Sequence, residues 1–478
     1  MNYYEIKSDI KVYQRNERFL VILSDVPYWL IVGKIGIVVF KYLKDTQRSI
    51  QEIEEHCCSK FGYEHKERIS QYVNKLIAKL ERDHVFDYQL ADLTGFAETH
   101  KYLIYTAGIN ITRNCNLRCL YCYANASQQY DGEREVITQQ ELDKFLEGVK
   151  AYASPDCPIQ FTGGEPLLRR DLLYYGIKKA RELGFTYLTI NTNGLLLKKE
   201  DIEFFKKYHV DNVTISLDGT NKEKHEKVRG IGSFEPAIKA ISMLKQGEIP
   251  TTASITIHKD NIDELNSFLL FCKENHVQPF TSPLFPLGRC VCNELESVNL
   301  YDIFTRIKEM YESGELMDSD LDGTFLQTMI LPLKDLVRRK YCGTGSSTIF
   351  LDSNGDVFPC TNTLGPDFFL CGNIREKEFA EIWEHSQTLN FLRNNVTVDE
   401  IDGCRSCEIR YICSGYCRGM NYQVTGKIDS QYVWCESIKK CLIESMWFLD
   451  EHPEVFKYYK DKFNRYNYAD VEKFLFLK

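Results

Sequence analysis

The sequence lacks an uninterrupted apolar stretch of the roughly 20 residues that a membrane-spanning helix requires. Its longest apolar run, VPYWLIVGKIGIVVF at residues 26–40, is broken by Lys34. The opening MNYYEIKSDI also lacks the basic segment and apolar core of a secretory signal. Neither export nor membrane insertion is expected, and the chain is read as cytoplasmic. Nor is there an excess of positive charge. The net charge is −9, whereas nucleic-acid binding draws most of its affinity from clustered Lys and Arg. Neither a nucleic acid nor a membrane is therefore expected as a partner. No disordered tract stands out, and 44% hydrophobic with 27% charged residues is the balance of a soluble globular protein.

What the chain has in quantity is cysteine, 18 in 478 residues. In a reducing cytosol these do not make a disulfide framework, so they are read as metal ligands. Ten fall into two spaced patterns. The first is CNLRCLYC, with Cys115, Cys119 and Cys122. A structural zinc site usually pairs cysteines two residues apart with a second pair elsewhere, although a lone C-x3-C-x2-C is compatible with zinc. Three thiolates on one loop can also hold three irons of a [4Fe–4S] cube and leave the fourth open. A cluster that only carries electrons normally ligates all four irons, so an open iron points to chemistry.

The length implies several domains. Residues 1–92 begin with short β-like runs in IKVYQRNERFLVILSD. They end in helices, marked by a Ser49–Glu52 capping box and by Ile69, Tyr72, Val73, Leu76, Ile77 and Leu80 at helical spacing. This is a winged-helix-like order. Residues 105–290 alternate strand and helix, with candidate strands GINIT, PIQFT, YLTIN, NVTIS, TASITI and a run near QPFTSPLF. Such alternation predicts an α/β fold, a parallel sheet curled into a partial (β/α)6 TIM-like barrel. Sites in parallel α/β folds lie at the C-terminal strand ends, where CNLRCLYC, GGEP, NTNG and SLDG occur in turn. Residues 291–341 read as a bridging region, 342–440 as a cysteine-rich domain and 441–478 as a helical, aromatic tail.

The combination of C-x3-C-x-aromatic-C after the first strand, GGEP after the second, SLDG and the HEKVRG segment resembles the radical S-adenosylmethionine (SAM) enzymes. In that family the amine and carboxylate of SAM chelate the open iron, and one electron cleaves the sulfonium to a 5′-deoxyadenosyl radical. The resemblance implies that Cys115, Cys119 and Cys122 ligate the catalytic cluster and that Tyr121 offers its backbone to the adenine. Gly163, Gly164 and Glu165 would hold the methionyl amine, Ser216 the ribose and Arg229 the carboxylate. Asn193 and Asp218 would support these groups, and Leu284 would cover the adenine.

The later spacing, C-x12-G-x4-C followed by C-x2-C-x5-C-x3-C and a last cysteine, resembles the SPASM extension of the same superfamily, which holds two auxiliary [4Fe–4S] clusters. By that resemblance Cys342, Cys360 and Cys417 bind the first and Cys404, Cys407, Cys413 and Cys435 the second, three clusters in all. Seven cysteines leave the first without an eighth ligand, for which Cys371, Cys290 and Cys292 are the scattered candidates. Cys57, Cys58, Cys157, Cys272 and Cys441 read as buried small hydrophobes.

The N-terminal segment resembles the peptide-chaperone domain of pyrroloquinoline quinone biosynthesis, which recurs as a leader-peptide recognition element. Such domains capture a peptide as an added β-strand. The implied partners are a precursor peptide with a leader and a reductant such as flavodoxin or ferredoxin. The expected activity is cross-linking of the peptide, with a sactipeptide- or ranthipeptide-type thioether first and a streptide-type carbon–carbon link next. An anaerobic sulfatase-maturing activity is disfavoured, because that group has Asp where Thr361 follows Cys360 and an additional cysteine where this chain has Ser347 and Thr348. The reading from another class is a peptide-binding or electron-transfer iron–sulfur protein.

Overall fold

The computed structural model describes residues 2–86, 102–126, 128, 136–293, 295–321, 323–333 and 338–463. In the N-terminal domain β1 (Tyr3–Tyr4) will pair with a later short strand, and β2 (Ile10–Arg15) and β3 (Arg18–Leu23) form the expected antiparallel hairpin. Asn16 turns it with φ of 52°, a conformation Asn tolerates better than most side chains. The long apolar run divides into β4 (Tyr28–Val32), paired to β3, and α1 (Lys34–Leu43). β5 (Arg48–Ser49) closes on β1, and the Ser49–Glu52 capping box opens α2 (Ile50–Phe61) as expected. α3 (Lys66–Arg82) then buries Ile69, Val73, Leu76, Ile77 and Leu80.

The two faces of the β2–β4 sheet go to different cores, because successive strand residues point to opposite sides. Val21, Leu23, Tyr28, Leu30 and Val32 pack with α1–α3. Leu20, Ile22, Trp29 and Ile31 join the core of the barrel. The Trp29 indole N–H donates to the Leu333 carbonyl over 3.2 Å, and Arg15 and Arg18 lie over the ring of Trp447.

The barrel is built from β6 (Thr106–Asn110), β7 (Ile159–Thr162), β8 (Leu188–Thr192), β9 (Asn212–Ser216), β10 (Thr251–Ile257) and β11 (Gln278–Pro283), parallel and adjacent in chain order. Helices such as Gln139–Tyr152 and Phe234–Gln246 cover the outside. Ile159, Phe161, Val213, Ile215, Ala253 and Ile255 belong to the helix-facing core. The alternate positions, Gln160, Asn191, Thr214, Ser216, Ser254 and Thr256, face the interior and are only partly buried.

The cysteine-rich segment is not merely appended. β12 (Thr348–Leu351) runs parallel beside β6, and β13 (Asp356–Phe358) and β14 (Gly372–Asn373) extend the same sheet to nine strands. The otherwise open β6 edge, a row of unpaired backbone groups, is thereby closed. Phe350 lies across Gly108, where an added Cβ would stand 2.5 Å from the ring.

A helix spanning Cys435–Glu451 starts before the tail boundary drawn from sequence, and a second covers Pro453–Phe463. The domain boundary near 92 and the tail beyond 463 lie outside the described residues. Among the described residues no helix is long and apolar enough to cross a membrane.

Candidate active site

The cluster loop leaves the C-terminal end of β6, and GGEP braces it from β7. Backbone approach is very close here: a Cβ on Gly163 would lie 2.4 Å from the Thr112 carbonyl and one on Gly164 2.3 Å from that of Asn114. Only glycine fits such contacts. Gly164 N–H donates to Thr112 O and Glu165 N–H to Asn114 O. The Glu165 side chain is fully buried. Its Oε1 accepts from Thr192 Oγ1 (2.7 Å) and Leu167 N (3.0 Å), and its Oε2 from Asn193 N (2.9 Å). The carboxylate thus fixes the β7 and β8 strand ends to one another. Asn193 reaches the loop directly, donating to Asn116 Oδ1 over 2.8 Å and to Cys115 Sγ over 3.8 Å.

On the opposite side, Asp218 Oδ2 accepts from Arg229 Nε over 2.5 Å and from the Tyr121 hydroxyl, while Oδ1 accepts from Thr256 N over 2.8 Å. Arg229 lies over the Tyr121 ring, 5.5 Å from its centroid. Its terminal nitrogens make no hydrogen bond among the described residues. His225, fully buried, accepts from Asp218 N at Nδ1; burial first, then Arg229, lowers its pKa to about 4. Ser216 sits at the inner end of β9, and its hydroxyl is uncommitted among the described residues. Leu284, just past β11, is enclosed by protein.

Three residues with no role assigned from sequence also hold the loop. Arg289 donates from Nε to the Cys119 carbonyl (2.9 Å) and Asn293 from Nδ2 to the Leu120 carbonyl (2.7 Å). Gly288, at φ of 56°, passes so close that a Cβ would meet the Cys122 carbonyl at 2.4 Å.

The thiols suit a multi-iron cluster. Burial pushes Cys115 up to about 12, with Glu165, Cys119 and Cys122 adding to the effect, so a metal is needed to hold Cys115 as a thiolate. Zinc at Zn–S distances of about 2.3 Å would draw tetrahedral sulfurs to roughly 3.8 Å of one another. Among the described residues the His, Cys, Asp or Glu triple whose ligand atoms come within 4.8 Å is Glu312, Glu451 and His452, with no cysteine in it. No three cysteines among the described residues converge closely enough for one ion, and the three-thiolate loop leaves a larger iron–sulfur group as the candidate occupant.

The later cysteines lie in two neighbourhoods. Cys417 is raised by burial and then by Cys360 and Cys342. Cys413 is raised by burial and then by Cys435, Cys404 and Cys407. Ser414, Gly415 and Tyr416 all take positive φ between Cys413 and Cys417, so the chain reverses and sends the two thiols to different groups. Of the scattered candidates, Cys371 is buried within reach of Cys360. Cys290 and Cys292 lie instead on the short helix beside the first loop. Cys57, Cys58, Cys157, Cys272 and Cys441 are buried as expected.

Residues 109–272 match the radical SAM superfamily, and residues 342–408 match the iron–sulfur cluster-binding domain SPASM. The AdoMet-dependent heme synthase of Methanosarcina barkeri is 29% identical over 345 residues, covering 68% of this chain and 94% of that protein. The mycofactocin maturase MftC of Mycolicibacterium smegmatis is 28% identical over 326 residues, covering 65% and 77%. In fold, Streptococcus suis SuiB bound to S-adenosylmethionine aligns with a TM-score of 0.58 at 17% identity, covering 90% of this chain and 100% of SuiB. Native anSMEcpe with bound AdoMet aligns with a TM-score of 0.57 at 20% identity, covering 74% and 99%. Strand order, the cysteine loop at the barrel mouth and the cysteine-rich extension of the same sheet agree with both matches: the chain carries a radical SAM domain over residues 109–272 and a SPASM iron–sulfur cluster-binding domain over residues 342–408.

Proposed function

We propose that the chain is a maturase of a ribosomally made precursor peptide, in which it closes an intramolecular cross-link, with a thioether as the first choice of bond and a carbon–carbon link as the second. The observation that carries this reading is the N-terminal domain, which has its own helical core yet is seated by one sheet face on the barrel assembly. The likeness to SuiB covers 90% of this chain, which requires about fifty of its first hundred residues. SuiB has also been solved bound to precursor peptide SuiA. The match to the heme synthase leaves about a third of this chain uncovered.

A leader would dock as an added strand. All five residues of β4 are buried, so the other edge, β2, is the available one. It borders a groove of about 320 Å³ lined by Asp9, Ile10, Val12, Lys41 and Lys44, which suits a peptide with apolar and acidic side chains. The core segment would enter a barrel whose inward residues on β7–β10 are amides and hydroxyls without charge. Those groups pair with peptide bonds and place no cation on these strands for the carboxylates of a heme precursor.

When bound, SAM would supply the radical that takes one hydrogen atom from the peptide; closing the cross-link would release a second hydrogen as a proton and return one electron to the iron–sulfur clusters. In this chain the backbone of Gly163 and Gly164 and the Glu165 carboxylate would receive the methionyl amine. Arg229 would pair with the carboxylate through its free nitrogens, Ser216 would bond the ribose and Tyr121 would offer its backbone to the adenine. Cys115, Cys119 and Cys122 would hold the iron, with the other seven cysteines carrying two auxiliary clusters and flavodoxin or ferredoxin supplying the electron.

The test is anaerobic reaction of the reduced enzyme with SAM and a peptide encoded beside its gene, followed by mass spectrometry. Loss of two hydrogens together with loss of an alkylatable thiol marks a thioether. The same loss with all thiols alkylatable marks a carbon–carbon link. An unchanged peptide with turnover of an iron porphyrin would sink the reading in favour of the activity named for the heme synthase relatives.

A further inference from the structure

Arg393, on the helix Gln387–Asn395, is 5% exposed. Its guanidinium lies between two rings, 4.1 Å from the centroid of Tyr102 and 4.5 Å from that of Trp383. Nε donates to the Gly345 carbonyl and Nη1 to the Trp383 carbonyl, each over 2.7 Å. Among the described residues Nη2 is buried without a partner. The groups that offset its burial are Tyr102, Cys371 and Tyr341, with no carboxylate among them. A buried cation without an anion is one of the costlier arrangements in a protein interior.

The surroundings indicate where the missing charge belongs. Gly345, which receives the Nε bond, sits in the turn that carries Cys342, and a Cβ there would meet Leu392 at 3.0 Å. On another side is Cys371, within electrostatic reach of both Arg393 and Cys360. The guanidinium therefore lies behind the turn that carries Cys342, with Cys371 between it and Cys360. A four-iron cluster held by three or four thiolates is negatively charged and gains another negative charge on reduction, and nearby charge is among the factors that set its potential.

We infer that Arg393 is the buried counter-charge of the first auxiliary cluster and makes that cluster easier to reduce than it would be beside a neutral side chain. The inference rests on cluster binding by the SPASM domain and is independent of the peptide substrate. Its test is a redox titration of the cluster-loaded full-length protein, followed by EPR, with R393Q and R393K beside the native chain. In R393Q the midpoint of one auxiliary cluster moves to more negative potential while the other two clusters keep theirs. In R393K, which keeps the charge but cannot stack or bridge two carbonyls in the same way, that midpoint stays closer to native. An unchanged midpoint in R393Q at native iron content overturns the inference. So does an equal shift in both variants, since that would assign the effect to packing. If R393Q loses one cluster's worth of iron, retention of that iron in R393K supports the counter-charge and loss from both variants overturns it.

Discussion

Asp218 and Arg229 form a buried ion pair, Oδ2 to Nε at 2.5 Å, at the point where the cluster loop meets the exit of β9. The same carboxylate holds the Tyr121 hydroxyl and the backbone of β10 at Thr256, so one side chain joins three segments of the site. Replacing it with Asn keeps the shape and leaves Arg229 buried without its partner. Breaking a buried pair from one side costs about 3–5 kcal/mol. D218N should therefore unfold at lower urea concentration and bind SAM at least tenfold more weakly by equilibrium dialysis. Y121F, which removes one hydrogen bond and no charge, should lose about 1 kcal/mol.

The three loop cysteines act together. Changing Cys115, Cys119 and Cys122 to Ala should abolish 5′-deoxyadenosine formation, read by chromatography after reduction, and should remove one cluster's iron while the auxiliary signals persist. C292A, on the exposed side of the neighbouring helix, should change neither. Normal 5′-deoxyadenosine formation in the triple variant would exclude this loop as the cluster site.

Much of this site was legible because its chemistry is carried by residue type at fixed spacing. Cysteines, GGEP and SLDG sit where strands end, and the strands show as short apolar runs between turn residues. The braces on the loop were not legible. Arg289 and Asn293 act on backbone carbonyls, which any residue supplies, so no pairing appears in the sequence; the glycine at 288 was the one available signal. The continuation of the sheet through β12 was hidden for a related reason. The register of Phe350 against Gly108 spans about half of the chain, and a parallel pairing leaves no hairpin turn to mark it. The continuous apolar character of β3 and β4 could have warned that their sheet is covered on both faces.

That double coverage changes what truncation will do. From sequence, a chain starting near residue 98 should still cleave SAM, provided the barrel folds alone. Removing residues 1–86 takes away Leu20, Ile22, Trp29 and Ile31 and bares the surface they cover, at roughly 25 cal/mol for each Å² exposed. The truncated chain should aggregate or unfold far below the full-length temperature. W29A should destabilise the intact protein by about 3–5 kcal/mol. Leader binding is better tested with K41E, an exposed change at the groove. It should weaken an acidic leader several-fold by fluorescence anisotropy and leave uncoupled SAM cleavage intact.

His225 supplies a pH signature. Its imidazole is buried beside Arg229, which lowers its pKa from 6.5 to about 4. Nδ1 accepts from Asp218 N, so the proton resides on Nε2. In the unfolded chain the ring takes a second proton near pH 6.5, whereas in the folded chain it stays neutral until about pH 4. Between those values the unfolded state binds more protons, so stability increases with pH through the window and is lost as the pH falls through it. The full loss is about 3 kcal/mol. Urea midpoints measured across this range should show that slope in the native chain. H225N has an amide oxygen to receive the Asp218 N–H but cannot take up a proton. Its midpoints should start lower and lack this part of the slope, while contributions from other titrating groups remain in both proteins. Equal slopes would mean that His225 is accessible to protons in the folded state and that the cavity holding the Asp218–Arg229 pair is open to water.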